Sequence, residues 1–248
     1  EQGFQILKRA EVLGLVTRSA RALCVAGTHG KTTTSTMLAH ILHQSHVGAN
    51  AFLGGIANNY GTNLLLDDST NVVVEADEFD RSFHHLTPYI SVITSMDPDH
   101  LDIYETEEKY YESFAHYASL TSDTLIIKKG LDINTLASNT KAKIYTYGIE
   151  TEANFSAQNI RYDQGVILFD FHIKYETTRV ILKDMRLRVP VWINIENSVA
   201  ALAVAYIVGV SEDELRNGIN TYTGVYRRFN IHVNTPQVSY IDDYAHHP

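Results

Sequence analysis

Along residues 4–20, apolar positions recur at helical spacing with basic residues between them, so a helix is expected to lead into the fold. The pattern then becomes a continuous apolar run. Residues 21–26 read as a strand buried on both faces, and residues 33–43 as a helix. Residues 50–63 are rich in glycine and asparagine and read as mostly loop. Residues 71–76 and 90–95 are further buried strands, and residues 105–120 a helix with aromatics on one face. Residues 124–127, 131–138 and 143–147 follow as strand, helix and strand. Strands alternating with helices in this way predict a parallel sheet covered on both faces.

The period changes at residue 154. Up to residue 189 the chain alternates β-branched and aromatic residues with polar ones, broken at Asp163-Gln164-Gly165. Two or three antiparallel strands extending the sheet are expected there. Residues 194–208 are an alanine-rich helix closed by Gly209, and Ser211 and Glu214 have capping-box spacing for the next helix. Beyond Gly224 come Arg227 and Arg228, and a short strand at residues 238–241. No internal repeat or low-complexity tract interrupts the series.

The first strand runs into Gly27-Thr28-His29-Gly30-Lys31-Thr32-Thr33-Thr34. Glycines let backbone N–H groups close around a polyphosphate, a lysine supplies the cation, and a threonine hydroxyl can hold Mg²⁺. The helix that follows would turn the positive end of its dipole toward the same phosphates. The common pattern has a further glycine five residues before the Gly-Lys pair, where this chain has Val25, so the loop is a shortened form. With it, the expected class is an α/β, P-loop NTPase-like fold: a mostly parallel sheet flanked by helices, with a small antiparallel extension.

Other polar groups cluster where strands end. Glu75 closes an apolar strand ahead of Asp77, Glu78 and Asp80, a position from which a carboxylate could complete a Mg²⁺ site with Thr32; an acidic solvated loop is the plainer reading, favoured for Asp80. His100, among Asp97, Asp99 and Asp102, could bind metal or phosphate, or be structural. The pair His84-His85 reads as a solvated loop feature. Asn194 and Asn197 lie one helical turn apart, which suits an adenine edge, although Asn194 also suits a helix cap. Arg228 offers a rigid donor fork for phosphate, or is plain surface. Asp242-Asp243-Tyr244-Ala245-His246-His247-Pro248 is a dense polar cluster after a strand.

Composition narrows the classes. Among 248 residues, Lys+Arg 20 against Asp+Glu 29 gives a net charge of −9, which argues against nucleic-acid binding. No apolar run approaches the ~20 residues needed to span a bilayer, and no signal-peptide pattern opens the chain, so a cytoplasmic protein is expected. The single cysteine, Cys24, sits in the first strand and reads as a small buried hydrophobe. The chain begins at Glu1 and ends within a polar cluster, and reads as a piece of a longer polypeptide.

Taken together, Gly27–Thr34, Glu75-Ala76-Asp77-Glu78-Phe79-Asp80-Arg81-Ser82-Phe83, Asp97-Pro98-Asp99-His100-Leu101-Asp102-Ile103-Tyr104, Gly224-Val225-Tyr226-Arg227-Arg228-Phe229 and the terminal cluster resemble the Mur ligase family. They look most like its alanine-adding branch. The resemblance accounts for the short loop. It implies ATP and Mg²⁺ as cofactors and UDP-N-acetylmuramate and L-alanine as substrates, joined through an acyl phosphate. It also implies residues 1–20 as the exit helix of an N-terminal UDP-sugar domain, 21–230 as the central ATP-binding domain, and 231–248 as the start of a C-terminal domain. Carried over by motif, Gly27, Thr28, His29, Gly30, Lys31, Thr32 and Thr33 would bind ATP, with Lys31 on the β/γ-phosphates. Thr32, Glu75 and His100 would hold metal, Asn194 and Asn197 face adenine, Arg228 reach the γ-phosphate, and Asp243 the ribose. Lys31, His100 and Arg228 would be the catalytic residues. Tyr244 and His246 would lie near the incoming alanine, and Ser82 near the UDP-sugar.

The chain departs from the family pattern in three ways. Ile193 stands where its His-Asn-x-x-Asn motif has histidine, Ala245 stands where glycine is usual, and Phe114 and Ala115 occupy the place of a lysine that several relatives carbamoylate. A tripeptide-recycling ligase is the alternative reading, disfavoured by Met96-Asp97-Pro98-Asp99-His100. A bare nucleotide-binding module is another, and a P-loop switch or motor a third, disfavoured for lack of a base-specificity motif.

Overall fold

The computed structural model of the protein describes residues 6–99 and 101–244. The first helix, α1 (Arg9–Arg18), is shorter than its apolar pattern. It starts where the Lys8 N–H meets the Glu11 carboxylate at 2.6 Å, one of the free donors at a helix N-terminus. Strand β1 (Arg21–Ala26) follows, then α2 (Lys31–His43). Residues 50–63 are not mostly loop. They hold β2 (Asn50–Ala57) and the start of β3 (Thr62–Leu65), joined by a tight turn at Asn58–Gly61. The glycines there permit close backbone approach within a strand, which composition alone reads as loop.

Strands β4 (Asn71–Glu75) and β5 (Ile90–Ile93) flank a 3₁₀ turn, Phe79–His85. Next come α3 (Leu101–Tyr104), α4 (Glu107–Ser119), β6 (Thr124–Lys128), α5 (Ile133–Ala137) and β7 (Lys143–Ile149). The region of period two forms three strands, β8 (Phe155–Asp163), β9 (Val166–Tyr175) and β10 (Thr178–Leu187). Helices α6 (Trp192–Ile207) and α7 (Glu212–Thr221) precede a separate hairpin, β11 (Asn230–Asn234) with β12 (Ser239–Asp242). The predicted capping box closes on α7, with Glu214 accepting from the Ser211 N–H at 3.0 Å.

The strands from β1 to β10 form one sheet in the order β10-β9-β8-β7-β6-β5-β1-β4-β2-β3. It is parallel from β8 to β2 and antiparallel at both edges, through β8-β9-β10 and β2-β3. Alternation sorts the central strand onto two cores. Leu23 and Val25 join Met37, Ile41, Val199 and Leu215 on the face of α2, α6 and α7. Ala22, Cys24 and Ala26 join Phe83, Phe114 and Tyr117 on the face of α1 and α4. Each such buried aliphatic or aromatic side chain stabilises the fold by about 1.5–3 kcal/mol. After β1 the chain builds to one side of that strand (β2, β3, β4), then crosses to the other (β5). This reversal leaves a crevice at the carboxyl ends of β1, β4 and β5, the usual ligand position in open α/β sheets.

Two histidines are held by the fold, and one of them, His84, is not the solvated loop residue its sequence suggests. His84 is half-buried: it stacks on Phe83 with centroids 4.8 Å apart and bonds to the Ser113 carbonyl at 3.0 Å, docking the 3₁₀ turn on α4. His40, on α2, is 2% exposed. Its Nε2 lies 2.9 Å from Thr221 Oγ1, which already donates to the Asn217 carbonyl, so His40 donates there and its Nδ1 accepts from the Tyr60 hydroxyl at 2.8 Å. Burial, assisted by the charge of His43, pushes its pKa down to about 4. Above pH ~6.5 the ring is neutral in folded and unfolded chains alike. As pH falls from there toward 4, only the unfolded chain takes up the proton, so stability is lost across this window, by up to about 3 kcal/mol. His40→Gln is expected to flatten that part of the stability–pH profile in urea titrations; an unchanged slope would contradict the assignment.

Candidate functional site

The loop from Gly27 to Gly30 is fixed by what crowds it. Gly27 has φ +137, and a Cβ there would sit 2.1 Å from Thr94 Oγ1; Gly30 has φ +83, and its Cβ would sit 2.7 Å from Asn197 Oδ1. Only glycine fits both positions. Thr94 and Ser95, just past β5, complete the support. Thr94 Oγ1 donates to the Ala26 carbonyl at 3.0 Å, and Ser95 Oγ accepts from the His29 N–H at 2.7 Å. The Thr28 hydroxyl meets Tyr110 OH at 2.7 Å and donates to the Asp97 carbonyl at 2.8 Å. Helix α2 begins at Lys31, so Thr32 and Thr33 lie in its first turn.

Above the loop lies a polar cavity of about 530 Å³, lined by Thr28, His29, Gly30, Lys31, Thr32, Thr33, Glu75, Asp77, Glu78, Asp99 and Arg228. Two carboxylates are sunk into its floor. Glu75 Oε1 accepts from the Thr32 hydroxyl at 3.0 Å and its Oε2 from the Gly54 N–H at 3.0 Å. Glu78 Oε2 meets Lys31 Nζ at 2.6 Å, with side chains only 2% and 13% exposed. Lys31 also donates to the Gly27 carbonyl at 2.7 Å, so the cation is folded back over its own loop. Burial pushes both acids above the ordinary carboxylate range, against the pull of the Thr32 hydroxyl and Lys31 on Glu75 and of Lys31 on Glu78.

The remaining predicted residues fall in three places. Asn194 and Asn197 are buried on α6 behind the loop. Asn197 Oδ1 accepts from Thr34 Oγ1 at 3.2 Å and its amide donates to Asn194 Oδ1 at 3.3 Å. Ser82 lines a neighbouring cavity of about 220 Å³ with Lys8, Arg9 and Leu13, and that cavity shares Glu75 and Asp77 with the first. Arg228 reaches the main cavity from a turn that the terminal cluster braces. Asp243 Oδ1 accepts from the Phe229 N–H at 3.1 Å, the Tyr244 N–H donates to the Arg227 carbonyl at 2.7 Å, and the Tyr244 ring lies 5.5 Å from the Arg228 guanidinium. His100 and His246 lie outside the described residues. Among the described residues no three His, Cys, Asp or Glu side chains converge as a metal cage.

Sequence reasoning passed over Glu78 as the partner of Lys31, and missed Gly54, Thr94 and Ser95. Gly54 had a signal: two glycines in an otherwise apolar segment mark close backbone approach. Thr94 and Ser95 had only their place at a strand end.

The family model of the Mur ligase middle domain matches residues 25–205. This chain belongs to the Mur ligase family. It is 55% identical over 251 residues to the UDP-N-acetylmuramate–L-alanine ligase of Phocaeicola vulgatus, covering 100% of this chain and 54% of that protein. It is also 55% identical over 249 residues to the ligase of the same name from Parabacteroides distasonis, covering 99% and 53%. This Mur ligase chain thus spans about half the length of the curated relatives it matches. Its fold is that of the UDP-N-acetylmuramate-alanine ligase from Thermotoga maritima, with TM-score 0.79 and 24% identity over 96% of this chain and 53% of that one. A murein peptide ligase from Psychrobacter arcticus shares it too, with TM-score 0.76 and 24% identity over 99% and 56%. No described helix is long and apolar enough to cross a membrane.

The Lys31–Glu78 pair gives a direct test of the electrostatics. Lys31→Met leaves Glu78 buried without its counter-charge, and a loss of ~3–5 kcal/mol is expected at pH 8, shrinking at pH 5 as Glu78 takes up a proton. Adding Glu78→Gln should recover most of that loss. Urea unfolding at the two pH values measures both, and equal losses at pH 5 and pH 8 would contradict the pairing.

Proposed function

We propose that this chain is the ATP-binding part of a ligase that joins L-alanine to the lactyl carboxylate of UDP-N-acetylmuramate. One observation carries the reading: Lys31, Thr32, Glu75 and Arg228 line a single polar cavity at the mouth of a glycine loop. The names of the 55% identical relatives support the choice of substrates. In this reading residues 21–230 are the central domain, with α1 leading from a UDP-sugar domain and the β11–β12 hairpin opening a third.

The donor set suits magnesium. Hard Mg²⁺ takes oxygen ligands and keeps several waters and phosphate oxygens, so a hydroxyl and one carboxylate are a sufficient protein contribution. Glu75, half-buried and held above its ordinary range, gains from a cation beside it. Thr32 and Glu75 would hold the ion, with His100 as a further ligand, and the ion would offset the charge of the polyphosphate. Loop N–H groups from Gly27 to Thr33 would cradle ATP, Asn194 and Asn197 would face its base, and Asp243 its ribose.

The chain's own residues then act on charge. A carboxylate is a poor acyl donor, because its oxygen is a bad leaving group, and must be phosphorylated first. Lys31, released from Glu78, and Arg228 would stabilise the charge on the transferring phosphoryl group. The amine of L-alanine, near Tyr244 and His246, would attack the resulting acyl phosphate, forming the amide and expelling phosphate. Ser82, in the adjoining cavity, would contact the UDP-sugar.

Phosphate release by the full-length protein, given ATP, UDP-N-acetylmuramate and either L-alanine or a murein tripeptide, tests this. Turnover is expected with alanine, and Lys31→Ala should lower it by about 10²-fold or more. Turnover with tripeptide alone would assign the recycling reaction instead. The chain as given is expected to bind Mg-ATP weakly without ligating, as read by calorimetry; ligation by it alone would contradict the three-domain reading.

A further inference from the structure

The turn between β2 and β3 makes bonds that a turn does not need. Asn58 Nδ2 donates to the Thr223 carbonyl at 3.1 Å and to Asn230 Oδ1 at 2.8 Å. Asn59 donates to the Thr221 carbonyl at 2.9 Å and accepts from the Thr223 N–H at 3.0 Å. Backbone bonds continue the clasp: Asn58 N–H to the Gly224 carbonyl at 3.0 Å, and Tyr226 N–H to the Ile56 carbonyl at 2.9 Å, with Ala57 bridged to Val225. An asparagine serving only its own turn bonds to backbone within two residues. These amides instead reach more than 160 residues along the chain.

What they grip is the segment that delivers Arg228. That segment has few preferences of its own. Arg227 and Phe229 have φ +61 and +48, the left-handed region that non-glycine residues adopt only under outside constraint. A few residues earlier, the same strand also touches the cavity's acid: the Gly54 N–H fixes Glu75, and Gly55 packs between Val225 and Thr32. A single strand therefore sets the spacing between Glu75 and Arg228.

We propose that Asn58 and Asn59 are positioning residues, which hold Arg228 at the distance from Glu75 and Thr32 that phosphoryl transfer requires. The inference rests on the reading of Arg228 as a phosphate contact. Removing the Asn58 amide leaves the glycine loop intact, so nucleotide is still bound while Arg228 wanders from its place. Chemistry slows and ground-state affinity does not.

The test is a double-mutant cycle in the full-length protein, followed by phosphate release with ATP, UDP-N-acetylmuramate and L-alanine. Asn58→Ala is expected to lower kcat about tenfold or more while the KM for ATP stays within about twofold. In an Arg228→Ala background the same substitution should have almost no further effect, because the group it positions is gone. Asn58→Ser, which keeps a smaller polar side chain, covers the case in which the alanine variant does not fold, and the same pattern is expected of it. An undiminished kcat, or an equal loss with and without Arg228, would overturn the positioning role. If Arg228→Ala alone were fully active, the phosphate reading of Arg228 would be what fails.

Discussion

Two acids sit in the floor of a polar crevice, and the groups around them follow from matching their charge. Glu75 and Glu78 sit at and just beyond the end of β4, where burial works against their ionisation. Each has its own compensation. Glu75 takes a hydroxyl from α2 and an N–H from β2, and Glu78 takes the ammonium of Lys31. These partners come from α2 and β2, so the acids at the end of β4 tie the P-loop helix to the strands on that side of β1. A buried ion pair of this kind adds little net stability, since desolvation offsets much of its Coulomb attraction. Its significance is that Lys31 has a defined alternative partner and is not left to solvent.

Support for the loop comes from far along the chain. Asn197 on α6 stands where a Gly30 side chain would be, and Thr94 beyond β5 stands where a Gly27 side chain would be. Helix α6 packs against α2, and its Asn197 bonds to Thr34 of that helix, so it brings an amide against the loop. The loop is thus a surface feature held from beneath by core elements. A phosphate-binding loop whose N–H groups are fixed in advance loses little freedom on meeting its ligand.

The alternating apolar strands and the glycine loop were legible because each is local: β1 spans the residues its hydrophobicity marks, and Ser211 caps α7 as its spacing implies. Strand β2 was not legible. Its glycines weaken the local signal, and the strand exists because pairing with β4 and the close approach to Glu75 override that weakness. Hairpin strand β11 was missed for the same reason, its pairing with β12 being tertiary. Among candidate site residues, Lys31, Thr32, Glu75 and Arg228 were singled out from strand ends and motif order, and all four line one cavity. Glu78 as the partner of Lys31 was invisible, because nothing in an acidic run says which carboxylate turns inward.

The two ends of the sheet carry a further consequence. A ten-stranded sheet that does not close has two open edges, each a row of unpaired backbone groups able to template another chain. Here one edge, β3, is only four residues long. The other, β10, is ten residues long but carries exposed Arg179, Lys183 and Arg186, followed by Arg188, and is broken by an irregularity between Leu182 and Met185. Two copies meeting edge to edge would bring like charges together across a kinked strand. The sheet can therefore grow this wide around its central crevice without becoming the seed of a fibre.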